Sequence, residues 1–116
     1  MFGEQMVLRT IYIDPHVDDL LRTQADALQT SKAELFRLYL SAGIRAVESR
    51  QSTVDTASAP ADRILVLRTV YIDALVDDKL RVEAYDSRTS KNDLYRKYVE
   101  LGMRVRDQQA APRRRN

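Results

Sequence analysis

The chain contains an internal repeat, and this duplication constrains its fold more than any other feature of the sequence. Residues 7–14, VLRTIYID, return as residues 66–73, VLRTVYID, at a constant offset of 59. The register continues without a gap, and residues 7–48 match residues 66–107 at 21 of 42 positions. Chance does not produce such identity over a gapless stretch. The sequence therefore predicts two copies of one structural unit, 7–48 and 66–107, joined by a linker over 49–65.

Each repeat begins with a segment typical of a β-strand. In the first repeat, Ile11 and Ile13 alternate with Thr10 and Tyr12 in a β-branched and aromatic run. Alternation with a period of two predicts that one face of the strand is buried and the other exposed. The isoleucines are expected to face the core, which leaves Thr10 and Tyr12 on the outer face.

Capping residues delimit two helices after each strand. Asp14 followed by Pro15 predicts the start of the first helix, because aspartate is a preferred N-cap and proline suits the first helical position. The apolar stripe of this helix ends near Gln29. Ser31 with Glu34 three residues later forms a capping-box pattern, which predicts the start of a second helix. The second repeat carries the corresponding signals.

A single repeat is too small to be stable alone, because about 42 residues rarely supply a sufficient core and a lone strand leaves backbone groups unpaired. The sequence predicts a mainly α protein with one two-stranded antiparallel β-ribbon, formed by two fused repeats that make a pseudo-dimer. We expect the strands to pair about a pseudo-dyad at Thr10 and Thr69. Leu8 then lies opposite Tyr71, and Tyr12 lies opposite Leu67.

The linker permits this pairing within one chain. It has 17 residues, and a fully extended segment of that length spans up to about 56 Å. The same linker also permits the strands to be exchanged between two chains, so intrachain pairing and domain swapping both remain open from sequence.

Composition argues against several kinds of chemistry. The chain has no cysteine, which excludes disulfides, thiolate metal sites and cysteine nucleophiles. The single histidine, His16, corresponds to Leu75 in the second repeat, so a duplicated metal or catalytic role is not expected. The aspartates at 18 and 19 suit the first turn of a helix. The sequence therefore predicts no enzyme, no cofactor, no metal site and no small-molecule substrate.

Charge and hydropathy bear on whether the chain binds nucleic acid or a membrane. The 19 basic residues nearly balance 17 acidic ones, so an argument for nucleic acid must depend on where the basic groups lie. No run of about 18 apolar residues predicts a membrane span. We expect a cytoplasmic protein. Residues 108–116 are expected to be a disordered basic tail, because they end in Arg113, Arg114 and Arg115.

The order of strand, helix and helix, the Thr-Ser-Lys segments at 30–32 and 89–91, and the small residues near Gly43 resemble the ribbon-helix-helix family of DNA-binding proteins, the Arc/MetJ/CopG superfamily. The resemblance covers about 84 residues, nearly all of the chain outside the linker and termini. Most members of this family are homodimers. Two fused copies in one chain are similar to the TraY-like members, which are relaxosome accessory proteins of conjugative plasmids.

The resemblance implies sequence-specific binding of double-stranded DNA through a β-ribbon in the major groove. Outward-facing strand residues would contact the base edges. They are Leu8, Thr10, Tyr12, Leu67, Thr69 and Tyr71.

Two further sets of residues lie where contact with DNA is expected. Arg9 and Arg68 are near the ribbon ends, where they would reach a base or a phosphate, or else form salt bridges with carboxylates of the first helices. The start of each second helix offers backbone N–H groups and a lysine to a phosphate. This phosphate-binding set comprises Thr30, Ser31, Lys32, Thr89, Ser90 and Lys91.

The sequence leaves several functions open. The leading hypothesis is a transcriptional regulator, most simply a repressor, that occupies a near-palindromic site and self-associates on DNA. The alternative within DNA binding is an accessory protein of plasmid transfer or partition. From a different class, the chain would be a dimerisation scaffold or an antitoxin-like protein that binds a protein partner.

Overall fold

The computed structural model describes residues 5–50, 53 and 64–110, with side chains up to residue 107. Most of the predicted linker, and residues 111–116 of the predicted tail, lie outside the described residues. Two strands and four helices follow one another along the chain. They are β1 (Met6–Ile13), α1 (Pro15–Leu28), α2 (Lys32–Glu48), β2 (Val66–Asp73), α3 (Ala74–Ser87) and α4 (Lys91–Ala110).

The described residues form a mainly helical structure with one two-stranded antiparallel sheet, as predicted. The predicted strand register is also confirmed. Thr10 pairs with Thr69, Leu8 with Tyr71, and Tyr12 with Leu67. Since the two strands belong to one chain, their pairing joins the two repeats directly.

The predicted caps set the helix boundaries. A side-chain oxygen of Asp14 accepts a hydrogen bond from the backbone N–H of His16 at 2.8 Å, and Pro15 is the first residue of α1. The hydroxyl of Ser31 accepts from the N–H of Glu34 at 3.0 Å and so caps α2. Gln29, in the left-handed conformation with φ 57°, ends α1. These contacts are local, which explains why the sequence predicts them well.

The core lies between the inner face of the ribbon and the four helices. The isoleucines of β1, Ile11 and Ile13, are buried together with Val70 and Ile72 of β2. Helices α3 and α4 contact β1, and α2 and α3 contact β2. Apolar helix residues complete this core, namely Leu21, Leu35, Phe36, Leu40, Leu80, Leu94, Tyr95 and Val99.

Helices α2 and α4 approach each other closely at two glycines. A Cβ atom on Gly43 would overlap the backbone carbonyl of Tyr98, and one on Gly102 would overlap that of Tyr39. Glycine is therefore required at positions 43 and 102, where the two helix backbones contact each other.

Helix α4 continues to Ala110, three residues past Asp107, so residues 108–110 of the predicted tail are helical. Within residues 5–50, 53 and 64–110, no helix is both long and apolar enough to cross a membrane.

Candidate nucleic-acid interface

The outer surface of the ribbon carries six exposed side chains, which we call the ribbon face. They are Leu8, Thr10, Tyr12, Leu67, Thr69 and Tyr71. Tyr12 is 49% exposed and Tyr71 is 55% exposed, although aromatic side chains usually pack against other residues. The predicted phase of both strands is therefore confirmed: their isoleucines are buried and their threonines and tyrosines are exposed.

The register makes the ribbon face nearly symmetric. Because Thr10 lies opposite Thr69, the two strands present Leu, Thr and Tyr in the same order from opposite ends. Each tyrosine lies across from a leucine of the other strand. The leucines are also about half exposed, so the ribbon face has an apolar part as well as hydroxyl groups.

Side chains from α2 and α4 form hydrogen bonds with the strand backbones at the two edges of the ribbon. The backbone N–H of Tyr12 donates to Oδ1 of Asn92 at 2.7 Å, and Nδ2 of Asn92 donates back to the Tyr12 carbonyl at 3.2 Å. On the other edge, Nη1 of Arg37 donates to the carbonyl of Tyr71 at 3.0 Å. Ala33 occupies the position equivalent to Asn92 and lacks an amide. The sequence does not indicate these contacts, because Asn92 is 80 residues from Tyr12 along the chain.

Asp18 of α1, Lys32 of α2 and Arg68 of β2 form an ion-pair cluster, the Asp18 cluster. Arg68 donates from Nε at 3.1 Å and from Nη2 at 2.9 Å to the two carboxylate oxygens of Asp18. Lys32 Nζ lies 2.9 Å from the same carboxylate. Burial alone raises the pKa of Asp18, but hydrogen bonds from Arg68 and Lys32 outweigh it and lower the pKa below its ordinary value.

The Asp77 cluster is its counterpart between α3, α4 and β1, and contains Asp77, Arg9, Lys91 and Tyr95. Arg9 Nη2 lies 2.9 Å from Oδ2 of Asp77, and Lys91 Nζ lies 3.0 Å from Oδ1. The Tyr95 hydroxyl also donates to Asp77, whereas Phe36 at the equivalent position has no hydroxyl. Burial raises the pKa of Asp77, but hydrogen bonds from Arg9, Tyr95 and Lys91 lower it to about 2.

Arg9 and Arg68 form the salt bridges with first-helix carboxylates that the sequence left open as one alternative. The expectation that they lie near the ribbon ends is wrong, because the strands pair about Thr10 and Thr69 and each arginine is one residue from that central pair. Arg9 of β1 pairs with α3, and Arg68 of β2 pairs with α1, so each salt bridge joins the two repeats. The arginine side chains nevertheless remain 40% and 46% exposed. Each cluster contains two cations and one carboxylate, which leaves a local charge of +1 in each cluster.

The predicted phosphate-binding segments lie beside these clusters. Lys32 and Lys91 are the first residues of α2 and α4, and their side chains remain 33% and 29% exposed. The hydroxyl of Ser31 already caps its helix, so a ligand there would meet backbone N–H groups and the lysine. The hydroxyl oxygen of Thr89 is buried and therefore faces the interior, unlike the exposed Thr30.

The sequence predicted a carboxylate partner for each arginine as one alternative, but did not indicate which aspartate of the first helix it is. It predicted only that the aspartates at 18 and 19 lie in the first turn of a helix. The structure buries Asp18 and leaves Asp19 exposed beside Arg22, at 2.8 Å. The signal available in the sequence was the repetition of both arginine and lysine together with this aspartate.

Among the described residues, no group of three or more histidine, aspartate or glutamate side chains is arranged to hold a metal ion. Comparisons of the chain with protein-family models, with curated proteins and with solved structures find no match. Any function assigned to the chain therefore depends on the geometry of the ribbon face and of the two ion-pair clusters.

Proposed function

We propose that the chain binds double-stranded DNA sequence-specifically by inserting the β-ribbon into the major groove. We further propose that its two strand-helix-helix repeats form a tandem ribbon-helix-helix pseudo-dimer. The observation that carries this proposal is the ribbon face itself. It is a symmetric pair of strands with two half-exposed tyrosines, and the arginines next to its central Thr10–Thr69 pair belong to two positively charged clusters.

The dimensions and chemistry of the ribbon face suit this role. The major groove is about 12 Å wide and admits a two-stranded ribbon. The hydroxyl groups of Thr10 and Tyr12, with their counterparts Thr69 and Tyr71, can donate to or accept from base edges. The exposed leucines suit apolar contact with thymine methyl groups. Sequence preference in this proposal comes from the ribbon face.

Affinity in this proposal comes chiefly from phosphate contacts. The first N–H groups of a helix have no partner within the helix, and the N-terminus carries a partial positive charge. Lys32 and Lys91 place an ammonium group at the start of α2 and α4. We propose that each helix start binds one phosphate beside the groove, which fixes the register of the ribbon on the duplex.

The biological role that follows most directly is transcriptional regulation, in which the protein blocks a promoter by occupying its site. An accessory role in plasmid transfer or partition is the alternative, and the tandem arrangement of the two repeats favours it. Genome-wide mapping of bound sites distinguishes the two. Sites upstream of genes support a regulator, whereas one cluster at a transfer or partition origin supports the accessory role.

The direct test begins with selection of duplexes from a random DNA pool by the wild-type protein. A variant with Thr10, Tyr12, Thr69 and Tyr71 replaced by alanine should lose at least about 100-fold in affinity for the selected duplex, because good base contacts contribute about 1–3 kcal/mol each. Tyr85→Ala is the matched control, since Tyr85 is 85% exposed on α3, away from the ribbon. Equal binding by the alanine variant and the control would contradict DNA recognition by the ribbon and favour a scaffold.

A further inference from the structure

Each ion-pair cluster is organised around one buried carboxylate. The side chains of Asp18 and Asp77 are 5% and 4% exposed, and the first lies between a lysine of its own repeat and an arginine of the other. Asp77 has the same arrangement with Arg9 and Lys91. The carboxylates therefore connect the ribbon, which would contact bases, to the helix starts, which would contact phosphates.

We propose that Asp18 and Asp77 are specificity-determining positioning residues: by restraining the four cations around them, they limit binding to arbitrary DNA and so increase discrimination between sequences. This inference rests on the proposed function. It adds that the buried aspartates reduce affinity for non-specific duplex, although neither of them would touch DNA.

The geometry of the arginines shows how the restraint operates. Arg68 uses Nε and Nη2 on Asp18 and donates from Nη1 to the carbonyl of Leu67 at 2.8 Å. Arg9 uses Nε on Asp77 and donates from Nη1 to the carbonyl of Leu8 at 3.0 Å. All three guanidinium nitrogens of Arg68 are therefore held in place. A guanidinium held in this way cannot reorient towards a nearby phosphate, whereas one released from its aspartate can.

The local charge of each cluster supports the same inference. Each cluster has a local charge of +1 with its aspartate and would have +2 without it. Phosphate contacts supply essentially all of the affinity for non-specific DNA and carry no sequence information. Released cations would therefore strengthen binding to every duplex, while base contacts would gain nothing.

The neighbouring aspartates provide a matched control. Asp19 and Asp78 are exposed and pair with Arg22 and Arg81 on their own helices, at 2.8 and 3.1 Å. Replacing them with asparagine changes the net charge by the same amount as replacing Asp18 and Asp77. It leaves the cations of both clusters paired with Asp18 and Asp77, so the control separates local release of these cations from a general change in charge.

The experiment compares D18N/D77N with D19N/D78N on a duplex selected by the wild-type protein and on a mixed-sequence duplex. At about 0.1 M salt we expect D18N/D77N to bind the mixed-sequence duplex roughly tenfold more tightly than the control does, the order of one added phosphate contact. The salt dependence should become steeper by about 1 to 2 units. Preference for the selected duplex should fall by roughly tenfold.

Other outcomes separate this inference from the function on which it rests. Equal behaviour of D18N/D77N and D19N/D78N on both duplexes would overturn the inference and leave DNA binding intact. If the wild-type protein and the control prefer no duplex, the proposed function itself fails.

A purely structural role predicts a different result, namely weaker binding to both duplexes together with a lower melting temperature. If the double variant does not fold, D18N carries the test, because the Asp77 cluster keeps its Tyr95 hydrogen bond. We expect D18N to show about half of the change in salt dependence. Failure of D18N to fold would show that the carboxylate is required for the fold itself and would also overturn the inference.

Discussion

Adjacent aspartates in each first helix have opposite environments. Asp18 is buried beneath the ribbon, and Asp19 is exposed on the same helical turn. Successive helical residues diverge by about 100°, so one of the two faces the ribbon and its neighbour faces away. A buried carboxylate requires compensation, which Arg68 and Lys32 provide. Removing one partner of such a cluster should therefore destabilise the fold more than removing a surface ion pair does.

Acid should destabilise the protein through Asp77. Its pKa in the folded state is about 2, below the ordinary 3.8, so the ionised carboxylate stabilises the fold above about pH 4 and loses this contribution as the pH falls towards 2. The difference corresponds to about 2 kcal/mol of unfolding free energy. Urea unfolding at a series of pH values should show this loss in the wild-type protein and in D78N, and a flatter profile in D77N. An identical acid profile in D77N would contradict the assignment.

The lysines at the starts of α2 and α4 should contribute to affinity rather than to sequence preference. K32A/K91A removes one positive charge from each ion-pair cluster, so the salt dependence of DNA binding should flatten by about 2 units, about 1 per contact. Affinity should fall by a similar factor on every duplex. Binding of selected and mixed-sequence duplexes over a salt series checks this. An altered sequence preference with an unchanged salt slope would show that these lysines contact bases.

At the level of elements, the contact between α2 and α4 holds the helical layer together. Side chains buried around it come from both repeats, including Tyr39 and Leu40 of α2 and Tyr98 and Val99 of α4. The glycines at 43 and 102 allow the backbones to approach without intervening side chains. The two tyrosine hydroxyls reach back to the first helices, since Tyr39 donates to Gln24 and Tyr98 donates to Glu83.

Gly43→Ala should destabilise the protein strongly. Alanine in a helix interior is intrinsically favoured over glycine by about 1 kcal/mol, so an isolated α2 would become more stable. In the folded protein the new methyl group would overlap the carbonyl of Tyr98 and force the helices apart. We expect a net loss of more than about 2 kcal/mol in urea unfolding. Thr23→Ala, at an exposed helical position, serves as the control and should change stability by less than about 0.5 kcal/mol. A stabilised Gly43→Ala protein would show that the helices do not cross in this way.

On the scale of the whole molecule, a nearly symmetric ribbon packs against helices that differ between the two repeats. The strands present the same residues on the ribbon face, but the supporting helices differ. Asn92 binds the backbone of Tyr12 where Ala33 has no amide, and Tyr95 binds Asp77 where Phe36 has no hydroxyl. The centre of a bound site and its flanks would therefore meet surfaces of different symmetry.

Selection of DNA from a random pool should return sites with a nearly palindromic centre, because Leu8, Thr10 and Tyr12 recur on the opposite strand. The flanks should be less symmetric, since the residues beside the ribbon differ between repeats. Sequencing of the selected pool measures both properties. A selected centre with no dyad symmetry would contradict reading by both strands of one ribbon.

The mass of the protein in solution tests whether both strands of a ribbon belong to one chain. With β1 and β2 in one ribbon, light scattering should give about one chain of 13.4 kDa per ribbon in the absence of DNA. Exchange of strands between two chains would give twice that mass with the same ribbon face. A doubled mass in free solution, followed by a structure with β1 and β2 in different ribbons, would reject the single-chain arrangement but not DNA binding.

Features that arise from neighbours along the chain were determined by the sequence itself. The repeat predicted the element order, the alternation of Ile11 and Ile13 predicted the buried strand face, and Ser31 predicted the start of α2. The register about Thr10 and Thr69 also followed, because two nearly identical strands that pair antiparallel bring like residues together at their centre. Capping and alternation act over a few residues, so they can be recognised without knowledge of the tertiary structure.

The tertiary structure alone decided which polar residues are buried and what neutralises them. Arg68 and Asp18 are 50 residues apart in the chain, and they meet only because the ribbon carries each arginine over the first helix of the other repeat. The close approach of α2 and α4 at Gly43 likewise depends on helices from different repeats. A carboxylate in the first turn of a helix has the same local pattern whether it is exposed or buried. Its environment depends on what the rest of the chain places above it.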